Sequence, residues 1–476
     1  MIQTVFRPMP ASHANSKLSL PPLDGAFAPA AVWNRSYRSL GATRPLAIAL
    51  ERGDGAVSLF RTAVLPNEGG GAGLNYRYVE RLVKFLLWQK GGYRITIAGP
   101  GEIGEAILRT YRPAGARAFD SEFMGERVYG KPFEVQAVSF DRAPEEREAD
   151  APLGRHLDGF RIGFDLGSSD RKCAAVAQGQ AVFSEEVPWN PGVQTDPQYH
   201  FDGIQDSLRR AAAALPRVDA IGGSAAGVYV NNEVRVGSLY RAVPRHLFDT
   251  RIRRLFFELR AAWGGIPFDV VNDGEVTALA GSMSLRDHPV LGIAMGSSLA
   301  AGFVTPTGGI TTWLNELAFA PVDYREDAPA DEWSGDRGVG VQYFSQQTVA
   351  RLLAPAGIDL PAQMPLPGKL ERVQALMAAG DLRARNIYMT IGAYLGYTIA
   401  HYADFYDVRH LVALGRVMTG LGGSLILLNA RNVLREEFPA LAERVRFHVP
   451  SEREKRHGQA IAAASLPAIS PEEKRP

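Results

Sequence analysis

The chain has one cysteine in 476 residues, Cys173. An internal disulfide and any zinc site built from several cysteines are therefore excluded, which fits a reducing compartment. No stretch stays uncharged and apolar long enough to span a bilayer, and the opening M-I-Q-T-V-F-R-P-M-P lacks the apolar run of a signal peptide. A soluble, cytoplasmic protein without a membrane partner is expected. Charge of one sign is lacking too: 52 Lys and Arg face 51 Asp and Glu, a formal charge of +1. That balance argues against a general electrostatic hold on nucleic acid.

What is present is a chain longer than one core usually supports, so two or three domains are expected. Pro10–Pro29, rich in Ala, Ser and Pro, reads as a tail or linker, and the charged Ala143–Ala151 reads as a domain boundary. The last residues, S-P-E-E-K-R-P, read as a frayed terminus. Residues 1–150 give strand Ala47–Leu50, a Gly-Asp-Gly turn, strand Ala56–Leu65, helix Tyr76–Gln89 and strand Tyr93–Ala98. The same order recurs in hairpin Ile162–Val187, helix Phe201–Leu215 and strand Val218–Ile221, each copy ending on a Gly-rich stretch. A decayed duplication is one reading and the generic composition of α/β domains the other.

The organising stretch is Arg161 to Val176, R-I-G-F-D-L-G-S-S-D-R-K-C-A-A-V. A strand delivers Asp165; Gly167, Ser168 and Ser169 then leave backbone N–H groups free to face an anion, and Lys172 adds positive charge. Such a hairpin can hold nucleotide phosphates while Asp165 faces their magnesium, directly or through water. Taken alone it is also an ordinary Gly-Ser hairpin.

Downstream, strand Phe268–Val271 ends on N-D-G-E before a small-residue helix, Val276–Met283. An acid at this corner is either catalytic or a helix cap. Strand Val290–Ala294 leads into M-G-S-S-L-A-A-G, a second turn of small residues. Helix Arg383–Ala403 carries Ile387, Ile391, Leu395 and Ile399 on one stripe, which is core packing. Strand His410–Leu414 closes on G-R-V-M-T-G-L-G-G before helix Leu425–Arg435, a turn that suits an adenosine or phosphate pocket.

In this order, these stretches from Gly159 to Ala462 resemble the sugar kinases of the ROK family (repressor, open reading frame, kinase). The resemblance implies a two-lobed, actin-like ATPase (ribonuclease H-like) α/β kinase fold over residues 155–465. Residues 1–150 would add an N-terminal α/β domain. It implies ATP and Mg2+ as cofactors, with Asp165, Gly167, Ser168, Ser169, Lys172, Gly296, Ser297, Ser298, Gly415, Gly420 and Gly422 around the nucleotide. It implies Asp273 as catalytic base, and Gly223, Ser224, Asn272, Glu275 and Glu316 around a sugar or polyol. A homodimer is a candidate assembly.

The departures are specific. Phe319 stands where the family has a zinc-binding histidine, Ser334 and Val339 stand at cysteine positions, and Val341 stands at an acid. Without thiolates or imidazole that zinc site cannot form. Ser168 and Asp170 also replace the usual residues of the first phosphate motif. An ATP-dependent sugar or polyol kinase is expected, and a non-catalytic sugar or nucleotide binder, sensor or pseudokinase, is the alternative. ROK-like regulators carry an N-terminal helix-turn-helix, whereas residues 1–150 read as strand-rich.

Overall fold

The computed structural model describes residues 19–53, 55–67, 71–148, 153–450 and 458–469. The readings of the first ten residues and of the last seven lie outside them. Among the described residues no helix is long and apolar enough to cross a membrane.

The N-terminal unit comprises α1 (Ala30–Ser39), β1 (Arg44–Glu51), β2 (Val57–Val64), α2 (Gly71–Lys90), β3 (Arg94–Ala98), α3 (Gly101–Tyr111), α4 (Ala118–Glu122) and β4 (Glu134–Val138). Its sheet runs β2-β1-β3-β4. Every residue of α2 from Tyr78 to Gln89 is buried, so this helix is enclosed on all sides instead of lying on a surface. The duplication suggested by element order fails on topology: β3 lies antiparallel to β1, whereas the corresponding strand of the next sheet lies parallel to its partner.

Lobe I contains β5 (Phe160–Leu166), β6 (Asp170–Ala177), β7 (Gln180–Pro188), α5 (Pro197–Ala212), β8 (Ala220–Ala225), β9 (Val228–Val230), β10 (Glu233–Val236), α6 (Arg245–Thr250), α7 (Leu255–Ala262), β11 (Phe268–Asn272) and α8 (Asp273–Leu285). Its main sheet of five strands is ordered β11-β8-β5-β6-β7, with β5, β8 and β11 parallel, and β9 and β10 form a separate two-stranded sheet. Lobe II contains β12 (Val290–Met295), β13 (Leu299–Val304), α9 (Gln346–Leu352), α10 (Leu366–Ala378), α11 (Leu382–Tyr402), β14 (His410–Leu414), α12 (Gly420–Glu437), α13 (Pro439–Arg444) and β15 (Arg446–His448). Its strands are ordered β13-β12-β14-β15. Gly392 and Gly396 let α11 meet α12, since a Cβ there would lie 2.7 and 2.8 Å from the Ile426 and Ala430 carbonyls.

Two close contacts tie the lobes together. Helix α8 starts at the end of a lobe I strand yet packs on lobe II, where a Cβ on Gly274 would lie 2.2 Å from the Ala301 carbonyl and one on Gly302 2.2 Å from the Gly274 carbonyl. Helix α14 (Gln459–Ala464) returns to lobe I, seated on Gly163 and Gly222, whose Cβ atoms would lie 1.7 Å from the Ala460 and Ala463 carbonyls. One apolar core, from Phe27, Tyr37 and Trp88 through Phe319 and Tyr394 to Phe447, is common to the N-terminal unit and lobe II. Lobe I has its own, around Phe164, Leu208, Ile221 and Phe256.

Two expected linkers are docked instead. Within Pro10–Pro29, the described residues 19–29 bury Phe27, bond the Leu23 N–H to Thr390 Oγ1 at 3.1 Å, and give the Asp24 carboxylate to Tyr394 and Arg325. Apolar contacts and buried polar partners fix this segment despite its linker-like composition. Within Ala143–Ala151, Arg147 bridges Val57 and Glu148 pairs with Arg52, while residues 149–151 lie outside the described ones.

Gly222→Ala is expected to destabilise by about 3 kcal/mol, the upper end of ordinary overpacking, because backbone and not a flexible side chain must move. Urea unfolding measures this, and an unchanged midpoint would contradict the seating of α14.

Candidate functional site

The assigned residues of both lobes lie near the carboxyl ends of parallel strands. Asp165 on β5 is in register with Ser224 on β8, which is in register with Val271 on β11. Asp165 therefore stands close to the corner where β11 becomes α8. Ser224 Oγ donates to Asp165 Oδ1 at 2.6 Å, and Lys172 Nζ lies 4.0 Å from Oδ2 and 3.4 Å from Asp170 Oδ1. Burial pushes the Asp165 carboxyl up, against the Ser224 hydrogen bond and the Lys172 charge. Burial would lower the Lys172 ammonium, but Asp165 and Asp170 outweigh it and raise it.

Ser168 and Ser169 are exposed on the first turn. The turn is braced by Trp189, which the sequence analysis did not single out: its N–H donates to the Ser169 carbonyl (3.1 Å) and its indole to the Gly167 carbonyl (2.8 Å). On the second turn Ser297 and Ser298 are exposed, with Gly296 held by its N–H on the Ser298 carbonyl and by the Gln346 N–H on its own carbonyl, both at 2.9 Å. Of the three glycines assigned to the nucleotide between β14 and α12, only Gly420, at φ +65° at the start of α12, has open space beside it. Gly415 (φ +102°) lies against the Met295 backbone and Gly422 against the Tyr388 ring. Both are closely packed.

At the acidic corner the cap is Asn272. Its Oδ1 accepts the Gly274 N–H (2.7 Å) and its Nδ2 donates to the Gly227 carbonyl (2.7 Å), so the side chain assigned to substrate is occupied by the protein. With Asn272 as the cap, Asp273, the first residue of α8, is half-buried and accepts a 3.1 Å bond from the Gly274 N–H. Burial, together with the Asp165 charge, pushes the Asp273 carboxyl up to about 6. Glu316 stands within its field: burial, then the Asp273 charge, pushes the Glu316 carboxyl up to about 8. Tyr229, directly after the G-G-S-A-A-G stretch, feels both charges and donates its hydroxyl to the Ala226 carbonyl at 3.1 Å. Its place in a short hairpin beside the Gly-rich stretch was the only signal in the sequence.

Three further residues assigned to the substrate have partners within the protein. Gly223 faces the Phe164 ring, 2.2 Å from a Cβ placed there, and the Ser224 hydroxyl is held by Asp165. Glu275 is sealed beneath the site, accepting from Asn315 Nδ2 and from the Phe303 N–H (3.3 Å), and burial pushes it up to about 8. Asn315, at φ +49°, also accepts the Tyr406 hydroxyl at 2.7 Å. Glu275 thus supports the loop that carries Glu316. At the positions aligned with zinc ligands, Phe319 packs against Trp88 (centroids 4.5 Å apart) and Trp333 (5.2 Å), Ser334 bonds Asp331, and Val339 is buried.

No protein-family model matches the chain, and no curated protein does. Solved structures do. A ROK family transcriptional regulator, a homolog of the E. coli MLC protein, is 17% identical over 65% of this chain and 78% of its own, with a TM-score of 0.52. A ROK family glucokinase from Streptomyces griseus, in complex with glucose and AMPPNP, is 19% identical over 65% of this chain and 99% of its own, at 0.48. A ROK hexokinase from Thermus thermophilus is 17% identical over 64% and 97%, at 0.49. The chain has the two-lobed, actin-like ATPase fold that ROK family proteins share.

Proposed function

We propose that this chain belongs to the ROK family as an ATP-dependent kinase of a sugar or polyol hydroxyl, with Asp273 as the base. The observation that carries the reading is the convergence of Asp165, Asp273 and Glu316 between two exposed turns of small residues, with Asn272 relieving Asp273 of the cap. The backbone of Gly167–Ser169 and of Gly296–Ser298 would hold the phosphates, and the open start of α12 at Gly420 would face the nucleoside. One Asp165 oxygen is held by Ser224 and the other is 4.0 Å from the nearest ammonium, so the carboxylate can take a hydrated magnesium ion. That ion would neutralise phosphate charge. Among the described residues no cluster of three or more His, Cys, Asp and Glu could hold a metal unaided, so the ion would arrive with the nucleotide.

In the transfer, the acceptor oxygen forms a bond to the terminal phosphorus, the bond from that phosphorus to the bridging oxygen breaks, and ADP leaves. Asp273 takes the hydroxyl proton. Glu316, protonated at neutral pH, donates a hydrogen bond to an acceptor oxygen and fixes its orientation. The two carboxyls are thus pushed apart into a base and a donor by burial, by the Asp165 charge on Asp273 and by the Asp273 charge on Glu316.

A sensor that binds without turnover is the rival reading, favoured by the likeness to a transcriptional regulator. Against it, the described residues within 19–148 form an α/β sheet unit whose core is continuous with lobe II.

Asp273→Asn is expected to lower turnover about a hundredfold or more while leaving nucleotide affinity unchanged, since the carboxylate acts on the acceptor. Asp165→Ala should weaken magnesium-nucleotide binding; unchanged affinity and turnover would count against the phosphate assignment. Wild-type turnover by Asp273→Asn would reduce that residue to a structural one. Both carboxyl pKa values are raised, so activity should climb with pH through about 6 as Asp273 ionises and fall through about 8 as Glu316 loses its proton. In Asp273→Asn the Glu316 titration, followed by carbon NMR, should move to lower pH because a neighbouring negative charge is gone. An unmoved titration would separate the two groups.

A further inference from the structure

The loop that carries Glu316 hangs on the end of a helix from the other end of the chain. The last carbonyls of a helix have no partner within it. In α2, the Trp88 carbonyl accepts the Glu316 N–H at 2.9 Å and the Gln89 carbonyl accepts the Asn315 N–H at 2.8 Å. The position of the Glu316 backbone is thus referenced to the N-terminal unit.

A second grip lies one turn further back on the same face. Glu80, Lys84 and Trp88 follow at four-residue spacing along α2 and form one stripe. Lys84, fully buried, places its ammonium 2.7 Å from Asp120 and 3.0 Å from Asp336. Arg117 bridges Asp336 and Glu80, both at 2.6 Å, Arg81 pairs with Glu80, and the Trp88 indole donates to Asp120 at 3.1 Å. Three cations meet three carboxylates, which is what permits such burial, because a lone charge there would be prohibitive. Asp336 belongs to the turn that Asp331 folds by accepting the Ser334 N–H and hydroxyl. That turn runs back along the Glu316 loop through the Val322 N–H on the Gly338 carbonyl (2.8 Å) and the Gly340 N–H on the Ala320 carbonyl (3.0 Å). Between the two, Phe319 is wedged against Trp88 and Trp333. The network and this stack occupy the region where the resemblance would have put zinc.

We propose that the N-terminal unit is a protein clamp for the acceptor site: Lys84 and Arg117 hold Asp336, α2 holds Asn315 and Glu316, and together they are positioning residues for the Glu316 carboxyl. The proposal rests on the reading of Glu316 as the acceptor contact. Removing the clamp loosens the acceptor side of the cleft and leaves the nucleotide side, built from lobe turns, intact.

The test uses the purified full chain with Asp336→Asn, with Arg117→Gln as a second variant from the more accessible end of the network should the first not fold. Amide hydrogen exchange of residues 312–320 should speed up about tenfold while residues 160–177 exchange as before. The acceptor KM should rise on the order of tenfold with the nucleotide KM unchanged, the scale seen when a supporting partner is lost. Asp336→Glu, which keeps the charge, should return both towards the wild type. Unchanged exchange of 312–320 in a folded variant overturns the clamp, and so does faster exchange with a wild-type acceptor KM. Faster exchange in a protein whose wild type phosphorylates no acceptor supports the clamp and removes the kinase reading, so the two failures are distinguishable.

Discussion

The placing of Asp273 beside Asp165 and Glu316 depends on a close backbone contact, Gly274 of α8 against Ala301 and Gly302 of β13. A helix that begins on the sheet of one lobe is pressed into the sheet of the other, with no side chain in between. Because Asn272 also caps the helix and ties it to Gly227, the first residue of α8 has little freedom left. Asp273 is that residue, and it faces Asp165 from its own lobe and Glu316 from a loop of the other. Relative movement of the lobes would change the spacing of these carboxyls directly.

The electrostatics follow from that geometry. Three carboxyls in one poorly hydrated cleft cannot all be charged at ordinary pH, so burial and mutual repulsion separate their titrations. Asp165 has a hydroxyl and an ammonium in its favour and Asp273 a weak backbone bond; Glu316 has the Asp273 charge against it. In all three burial is the largest cause, and the partners then raise or lower each group differently. Beneath them Glu275 repeats the theme as a buried acid whose hydrogen bonds hold a loop.

Much of the lobe architecture was legible as periodicity. Strand β14 was read to the residue, and β5, β11 and β12 to within a few, because short apolar runs bounded by small residues have few other solutions. Helix starts were read late: α12 begins at Gly420 and not Leu425 since its first turn is glycine-rich, and α5 begins at Pro197, where an Asp-Pro cap signal was present but unused. At the site, no spacing rule could bring Asp165, Asp273 and Glu316 together from three distant stretches; only the resemblance did. Glycines are ambiguous, because Gly223, Gly415 and Gly422 are closely packed, and a sequence shows close packing no differently from space for a ligand. The docking of α2 under the Glu316 loop was invisible for the same reason: its bonds are between backbone groups, which every residue carries.

The most direct test of the account is ADP release from ATP and magnesium by the purified protein across a panel of hexoses, N-acyl amino sugars and inositols, with mass analysis of the acceptor. The account predicts that at least one acceptor raises ADP release well above the acceptor-free rate and gains one phosphoryl group. Saturable binding of a panel member, with ADP release never above the acceptor-free rate for any of them, would contradict it.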